Sequence, residues 1–159
     1  MSRTKRILID NSYYHIINRG NRKKEIFKHG SDYRHFLSLL KKAKKKHKVK
    51  INAYCLMPNH IHIIAYIREA KTISSLMHYV SRNYASYFNS RYEKVGHLWQ
   101  SRFKSYPLLT EEYLIHVANY IEINPVKAKI VDDPSKYTWS SYNERCLMQK
   151  QYLLDPITV

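Results

Sequence analysis

The sequence predicts an α+β fold of the ferredoxin-like (split βαβ) type, an antiparallel sheet with helices on one face. Strand-like and helix-like periodicities alternate along the chain in the order β-α-β-β-α-β, followed by another helix. The length of 159 residues suits one ordinary domain, and a hydrophobic fraction of 44% is enough for its core. We therefore expect a single domain over residues 1–159, with a core over about residues 12–131 and an irregular C-terminal tail over residues 132–159.

The first predicted elements are a strand and a helix. Residues 12–18 are mostly aromatic or β-branched, which is typical of a strand, and Arg19-Gly20-Asn21-Arg22 follows as a basic turn. Apolar residues recur at helical spacing from Asp32 onward, with Ser31 or Asp32 as the expected N-cap. The opposite face of this helix either faces solvent or contacts phosphates, and it carries Lys41, Lys42, Lys44, Lys45 and Lys46.

The next elements are a hairpin and a second helix. Residues 49–56 and 61–67 have strand composition, and the turn residues of Met57-Pro58-Asn59 join them. A core-packing helix then opens at Thr72 or Ser74. Its apolar stripe comprises Ile73, Leu76, Met77, Val80, Tyr84 and Phe88.

The last elements are a fourth strand and a third helix. Residues 98–108 combine aromatic and basic side chains, which suggests the strand. Thr110 is the expected N-cap of a helix that runs to about Ile123. Because Asn124 precedes Pro125, it could cap a separate short helix over residues 125–130, serve in a site, or do both.

The charge balance points to an acidic polymer as partner. Lys and Arg number 28 against 12 Asp and Glu, a net charge of +16, and such clustered cations gain free energy by releasing counterions from a phosphate backbone. A membrane surface is the competing target, but the sequence contains neither a span of about 20 apolar residues nor the apolar run of a signal peptide. We expect a cytoplasmic protein.

The two cysteines predict no covalent or metal framework. Cys55 and Cys146 form no CxxC pair, which argues against a disulfide framework or a cysteine-type zinc module.

Two histidines share one face of the third predicted strand. His60 and His62 alternate with Ile61 and Ile63, and their Cα atoms should lie roughly 6–7 Å apart, close enough for both imidazoles to bind one metal ion. The apolar face would pack on the helices, so we expect the histidines on the open face of the sheet. An H-x-H pair can equally be exposed or hydrogen-bonded, and a metal would need at least one more ligand.

The last predicted helix offers further polar candidates. His116, Tyr120 and Asn124 are spaced four residues apart, so they lie on one stripe that borders the apolar face. A tyrosine in this position can also be a core residue with its hydroxyl at the rim. Residue spacing alone leaves both interpretations open.

Four segments of the chain resemble the HUH-type single-tyrosine transposases, and most closely their REP-associated branch. The resemblance covers about residues 13–142. The segments are YHIINRGNRK (residues 14–23), MPNHIHII (57–64), GHLWQSRFKS (96–105) and YIEINPVKAKIV (120–131).

The resemblance implies a metal-dependent, single-stranded DNA endonuclease and strand transferase acting at hairpin-containing sites through a 5′-phosphotyrosine intermediate. It implies Tyr120 as the nucleophile, on a C-terminal helix, and His60, His62 and Asn124 as the ligands of a divalent ion. The family points to Mg²⁺ or Mn²⁺, whereas imidazoles by themselves favour zinc, copper or nickel. Mn²⁺ reconciles the two best.

Two basic segments are the expected DNA contacts. Their side chains combine an aromatic ring with donors for phosphates and base edges, which suits unpaired DNA. An amphipathic edge strand with solvated cations is the alternative for the second segment. The expected contacts are Arg19, Asn21, Arg22, Lys23, Trp99, Gln100, Arg102 and Lys104.

The sequence leaves a second function open, a non-catalytic hairpin-DNA-binding protein such as a domesticated transposase or repressor on the same fold. It also leaves open which hairpin is recognised, whether Tyr120 acts in cis or in trans, and whether the chain is a monomer or a homodimer.

Overall fold

The computed structural model of the protein describes residues 5–149 and 152–158. The element order confirms the predicted α+β succession. The strands are β1 (Ser12–Arg19), β2 (Lys50–Met57), β3 (His60–Ile67) and β4 (Lys104–Leu108). The helices are α1 (Gly30–His47), α2 (Thr72–Arg91), α3 (Glu111–Lys127) and the short α4 (Tyr142–Cys146), with single 3₁₀ turns at Asn21–Lys23 and Pro134–Lys136.

The four strands form one antiparallel sheet in the order β2-β3-β1-β4, which is the predicted split βαβ arrangement. In the ladder between the two central strands, Arg19 pairs with His60 and Ile17 pairs with His62. Met57 pairs with His60 across the hairpin, so the turn consists of Pro58 and Asn59. This register brings the end of β1 to the start of β3.

Helices cover both faces of the sheet. The helices α1 and α2 share one face, as predicted, over a core that includes Ile16 and Ile63. The prediction that the opposite face is open is wrong, because α3 packs there through residues such as Val117 and Ile121. The reason lies in β2, which is buried at every position from Ile51 to Met57 and therefore needs cover on both sides.

The fourth strand is shorter than predicted. It begins at Lys104, and the preceding residues 98–103 leave the sheet apart from a single bridge between Trp99 and Gly20. The Trp99 indole Nε1 donates a hydrogen bond to the Ser81 carbonyl oxygen of α2 at 3.0 Å. The segment therefore contacts α2 through Trp99 and keeps only backbone hydrogen bonds to the end of β1 and the turn that follows it.

The start of α1 differs from the predicted cap, whereas α2 begins at Thr72, one of its two predicted starts. The N-cap of α1 is His29, and the Asp32 carboxylate accepts hydrogen bonds from the backbone N–H groups of Lys28 and His29. In this way Asp32 stabilises the helix start from inside the first turn. The first residue of α2 is Thr72, after Lys71, and no side chain caps it.

The third helix begins as predicted and ends later. The Thr110 hydroxyl accepts a hydrogen bond from the Tyr113 backbone N–H, which confirms this cap. The helix continues through Pro125 to Lys127, so the predicted end near Ile123 and the separate helix over residues 125–130 are wrong. Because proline removes one N–H and the helix ends two residues later, the interruption disturbs little of α3.

The described part of the C-terminal tail packs against the domain. Ser141 accepts a hydrogen bond from the Tyr54 backbone N–H at 2.9 Å, and the Arg145 guanidinium pairs with the buried Glu122 of α3. Leu153 and Leu154 are buried in the core beside α1.

In the described ranges, no helix is both long and apolar enough to span a membrane.

Candidate metal centre and active site

The two histidines of β3 lie together beneath α3. Their side chains point to the face opposite Ile61 and Ile63, and the ring centroids of His60 and His62 are 5.0 Å apart with the rings nearly perpendicular. His62 is only 7% exposed, while His60 is half-buried. The pair therefore lies at the edge of a packed interface, because α3 covers the face that the sequence predicted to be open.

A third histidine fixes the orientation of His62. His15 of β1 lies on the same face, and its Nε2 is 2.9 Å from His62 Nδ1, with the two rings stacked at a centroid distance of 5.1 Å. The sequence prediction missed His15. The alternation of residues 12–18 indicates its face, but only the register of β1 against β3 shows which residue it meets.

Asn124 reaches the same imidazole from α3. Its side-chain nitrogen is 3.2 Å from His62 Nε2, so it donates to that nitrogen, and His62 Nδ1–H then donates to His15. His60 Nδ1 donates to the Asn59 side-chain oxygen at 2.7 Å. In both tautomers Nε2 is the unprotonated nitrogen, and in His62 it accepts the hydrogen bond from Asn124.

Burial keeps these imidazoles neutral. It lowers the pKa of His60 to about 4, with a further contribution from the positive charge of Arg19. Burial also lowers the pKa of His62 to about 3, assisted by His15, His60 and Arg19. The same cause lowers the pKa of His15 to about 4. At neutral pH all three rings are uncharged, which is the form that binds metal ions.

The donor set fits a divalent cation with open coordination positions. Two neutral imidazoles lie beside an amide group, which would present Oδ1 to a cation once the Asn124 side chain turned over. Among the described residues, no group of three or more His, Cys, Asp or Glu side chains is arranged to hold a metal. Three donors from the chain would leave the remaining coordination positions of a divalent ion to other ligands.

Tyr120 lies one helical turn before Asn124, on the same stripe of α3. It is 46% exposed, so packing in the core does not explain its presence. The Lys127 ammonium lies over its ring, 4.6 Å from the centroid. His116, one turn earlier, is exposed. The helix thus places an accessible phenol next to the amide that contacts His62.

The first predicted DNA-binding segment lies directly beside this site. Arg19 is exposed and pairs with His60 in the ladder, and the turn Asn21–Lys23 follows it. Gly20 lies so close to the Lys24 carbonyl oxygen and to Ile26 Cγ2 that a Cβ would clash with both. This close approach holds the basic turn against the end of β1.

The second predicted segment divides into different environments. Trp99 is half-buried and bound to α2, while Gln100 is exposed and its backbone N–H donates to the Arg19 carbonyl oxygen. Arg102 lines a groove beside α2. Lys104 is exposed and pairs with Ile17 at the start of β4.

The chain is similar to known transposases in sequence and in fold. Residues 8–124 match the model of the family described as IS200-like transposases. The structure of a REP-associated tyrosine transposase bound to a REP hairpin superposes with a TM-score of 0.78, at 21% identity, over 100% of both chains. At this identity the likeness shows the fold. No curated protein sequence matches the chain significantly.

A second solved structure is more distant. It is the crystal structure of a candidate transposase from Deinococcus radiodurans R1, at 16% identity over 77% of this chain and 96% of that chain, with a TM-score of 0.49. A TM-score below 0.5 does not establish a shared fold, so the fold assignment depends on the first structure.

Proposed function

Because this chain belongs to the IS200-like transposase family, we propose that it is a metal-dependent endonuclease and strand transferase for single-stranded DNA at hairpin-containing sites. One observation carries the proposal. The α3 helix places Asn124 in contact with His62, and Tyr120, which is 46% exposed, lies one turn away on the same stripe. A non-catalytic DNA-binding module would not need this combination.

The proposed metal ligands are His60, His62 and Asn124. A divalent ion bound to them would neutralise charge on the scissile phosphate and stabilise the leaving oxygen. The family resemblance favours Mg²⁺ or Mn²⁺, and Mn²⁺ suits a site with two imidazoles better. In the free protein, Asn59 would hold His60, and His15 would hold His62, in the neutral tautomer.

The proposed covalent step is a transesterification at phosphorus. The Tyr120 Oη forms a bond to the scissile phosphorus, and the bond from phosphorus to the 3′ oxygen breaks. The phenolic proton leaves to solvent, and the departing 3′ oxygen takes up a proton. The products are a 5′-phosphotyrosine and a free 3′-hydroxyl. Because the phosphodiester energy is conserved, a 3′-hydroxyl of another strand can reverse the step without a nucleotide cofactor.

Two cationic groups support this reaction. The Lys127 ammonium lies 4.6 Å from the Tyr120 ring centroid, where it would attract the incoming phosphate. The basic turn after β1 starts at Arg19, which pairs with His60, so its cations would bind the strand that enters the site. A tyrosine hydroxyl is a weak nucleophile at neutral pH, and alignment by these contacts would lower the barrier.

The substitution Tyr120→Phe tests the proposed nucleophile. Wild-type protein, incubated with a hairpin oligonucleotide that carries single-stranded flanks and with Mg²⁺ or Mn²⁺, should form a covalent adduct stable on a denaturing gel. The Phe variant should form none while still binding the DNA. Tyr113→Phe is the matched control, because Tyr113 is an exposed tyrosine of the same helix. An adduct formed by the Phe variant would show that Tyr120 is not the nucleophile.

The same assay separates the catalytic proposal from binding alone. A non-catalytic hairpin-binding protein would bind equally well after His60→Ala and His62→Ala together, and its wild type would cleave no hairpin tested with either metal. We expect the double variant to lose adduct formation and metal binding.

A further inference from the structure

The helix α3, which carries Tyr120 and Asn124, is held by polar contacts on two flanks. On one flank Asn124 contacts His62 of β3. Glu122 comes two residues earlier, and because each helical residue turns the chain by about 100°, its side chain points about 200° away from that of Asn124. Glu122 is only 1% exposed, so the contact on the second flank is buried.

Apolar side chains fill the space between the two flanks. Val117, Ala118 and Ile121 are buried in the core between α3 and the sheet. Burial of apolar surface is non-directional, so it holds a helix against a sheet but fixes its rotation less closely than hydrogen bonds do. The polar contacts on the flanks are therefore the groups that can define the rotation of α3 about its axis.

Both oxygens of the Glu122 carboxylate are bonded to the C-terminal segment. Oε1 accepts a hydrogen bond from Arg145 Nε at 2.7 Å and also pairs with Arg145 Nη2. Oε2 accepts a hydrogen bond from the Ser141 hydroxyl at 2.8 Å. Arg145 Nη2 donates in addition to the Asn119 side-chain oxygen at 2.6 Å. One guanidinium thus joins two successive turns of α3.

The segment that supplies these partners is itself attached to the sheet. The Trp139 carbonyl oxygen accepts a hydrogen bond from the Leu56 N–H at 2.8 Å, and the Ser141 N–H donates to the Tyr54 carbonyl oxygen at 2.9 Å. Both acceptor and donor of the sheet belong to β2, which pairs with β3. Arg145 therefore links α3 to the same sheet that carries the histidine pair.

Stability alone does not account for this buried ion pair. Replacing such a pair with apolar residues of similar volume is often neutral or stabilising, because the desolvation of two charges offsets their attraction. The carboxylate of Glu122 also points away from the flank that contacts His62, so it is not placed to bind a metal ion there. Its directional hydrogen bonds are the property that apolar residues could not supply.

We propose that Glu122 and Arg145 are positioning residues, which fix the rotation of α3 so that Tyr120 and Asn124 face the histidines of β3. Without the pair, the helix would keep its apolar packing but turn about its axis. The consequence for catalysis rests on the proposed function, because that function gives Tyr120 and Asn124 their roles.

The double variant Glu122→Leu with Arg145→Met tests the inference. It removes both charges together and keeps similar side-chain volumes, so the thermal unfolding midpoint should not fall. The first measurement is the ¹⁵N NMR spectrum of the histidine rings, without metal or DNA. The His62 Nε2 signal should shift because it loses the hydrogen bond from Asn124, while the Nδ1 signal should stay because its partner His15 lies within the sheet.

The second measurement separates rate from affinity. At saturating hairpin DNA with Mn²⁺, the double variant should form the Tyr120 adduct about 10–100-fold more slowly, as expected when a reacting group is misplaced. Its affinity for the hairpin should be unchanged. Arg145→Lys, which keeps the positive charge beside Glu122, should recover part of the rate.

Leu153→Ala is the matched control, because Leu153 belongs to the same tail but is buried beside α1. It should lower the thermal unfolding midpoint and leave the His62 signals and the adduct rate unchanged. An equal loss of rate in Leu153→Ala would overturn the proposal, since destabilisation of the tail would then explain the result. A double variant that unfolds would overturn it as well, because the pair would then serve stability.

The outcome is separable from that for the proposed function. The His62 signals are measured without DNA or metal, so failure of the Tyr120 adduct in the wild type would leave that comparison intact. An unchanged Nε2 signal in the double variant would overturn the positioning role and leave adduct formation by the wild type intact.

Discussion

At the residue scale, His15 orients one of the two histidines of the candidate site. His15 Nε2 accepts a hydrogen bond from His62 Nδ1–H, which keeps Nε2 of His62 unprotonated on the side that contacts Asn124. Partners of this kind orient metal ligands, and their loss typically weakens metal binding about 10–100-fold. We classify His15 as a positioning residue.

The substitution His15→Ala should therefore weaken Mn²⁺ binding about 10–100-fold, measured by calorimetric titration without DNA. His15→Gln offers an amide oxygen as acceptor and should restore part of the affinity. His97→Ala is the matched control, since His97 is exposed and distant in sequence. Unchanged Mn²⁺ affinity in His15→Ala would contradict the positioning role.

Asp32 is a second single residue on which much of the structure depends. Its buried carboxylate accepts hydrogen bonds from Tyr87, Tyr92 and the N–H groups at the start of α1, and it pairs with Arg91 at 2.8 Å. Burial by itself would raise the pKa of Asp32, but the hydrogen bonds outweigh it, so the pKa lies below the usual value. This group joins the start of α1 to the end of α2.

Asp32→Asn should lower the free energy of unfolding by about 2–3 kcal/mol, because an amide accepts fewer and weaker hydrogen bonds. A carboxyl with a lowered pKa stabilises the fold above its unfolded pKa of about 3.9, and this stabilisation is lost as pH falls through the folded value. Denaturant unfolding between pH 3 and pH 7 should show a shallower acid dependence for the variant. An equal dependence in both proteins would contradict this assignment.

Among the elements, the turn after β1 depends on one close backbone approach. Gly20 faces the Lys24 carbonyl oxygen and lies where a Cβ would be 2.8 Å from Ile26 Cγ2. The neighbouring N–H of Asn21 bonds to the Leu98 carbonyl oxygen, so the same turn fixes the segment before β4. A side chain at Gly20 would therefore displace both basic segments.

Gly20→Ala should reduce stability by about 1–3 kcal/mol through this overpacking, and it should weaken DNA binding at the same time. Gly30→Ala is the matched control, because a Cβ there would meet only the flexible end of Arg34 and the edge of Trp139. Thermal unfolding and hairpin affinity measure the two effects. A Gly20→Ala protein as stable as the Gly30→Ala protein would refute the steric argument.

At the scale of the whole molecule, the C-terminal tail belongs to the core. Asp155 pairs with Lys44 and accepts the Ile51 backbone N–H, so the described end of the chain joins α1 to β2. The buried Leu153 fills the same core. The tail was predicted to be irregular, and from its contacts with the core we expect it to contribute stability.

Leu153→Ala should accordingly lower the free energy of unfolding by about 2–4 kcal/mol, as expected for a buried leucine. Met148→Ala, at an exposed position of the same tail, should change it by less than about 0.5 kcal/mol. Denaturant unfolding curves measure both. Equal values for the two variants would indicate that the tail does not pack on the core in solution.

The amino-acid sequence determined the features that local physics decides. Strand alternation put His60 and His62 on one face, helical spacing put Tyr120 and Asn124 on one stripe, and the hydroxyl of Thr110 capped α3. Each follows from the geometry of a few neighbouring residues.

Only the tertiary structure decided what faces those residues. The coverage of the histidine face by α3, the contact of His15 with His62, and the role of Asn124 at His62 rather than as a helix cap all join residues far apart in the chain. Such contacts depend on strand register and on which apolar faces must be buried. No local pattern specifies these, because their energy comes from packing surfaces that meet only in the folded protein.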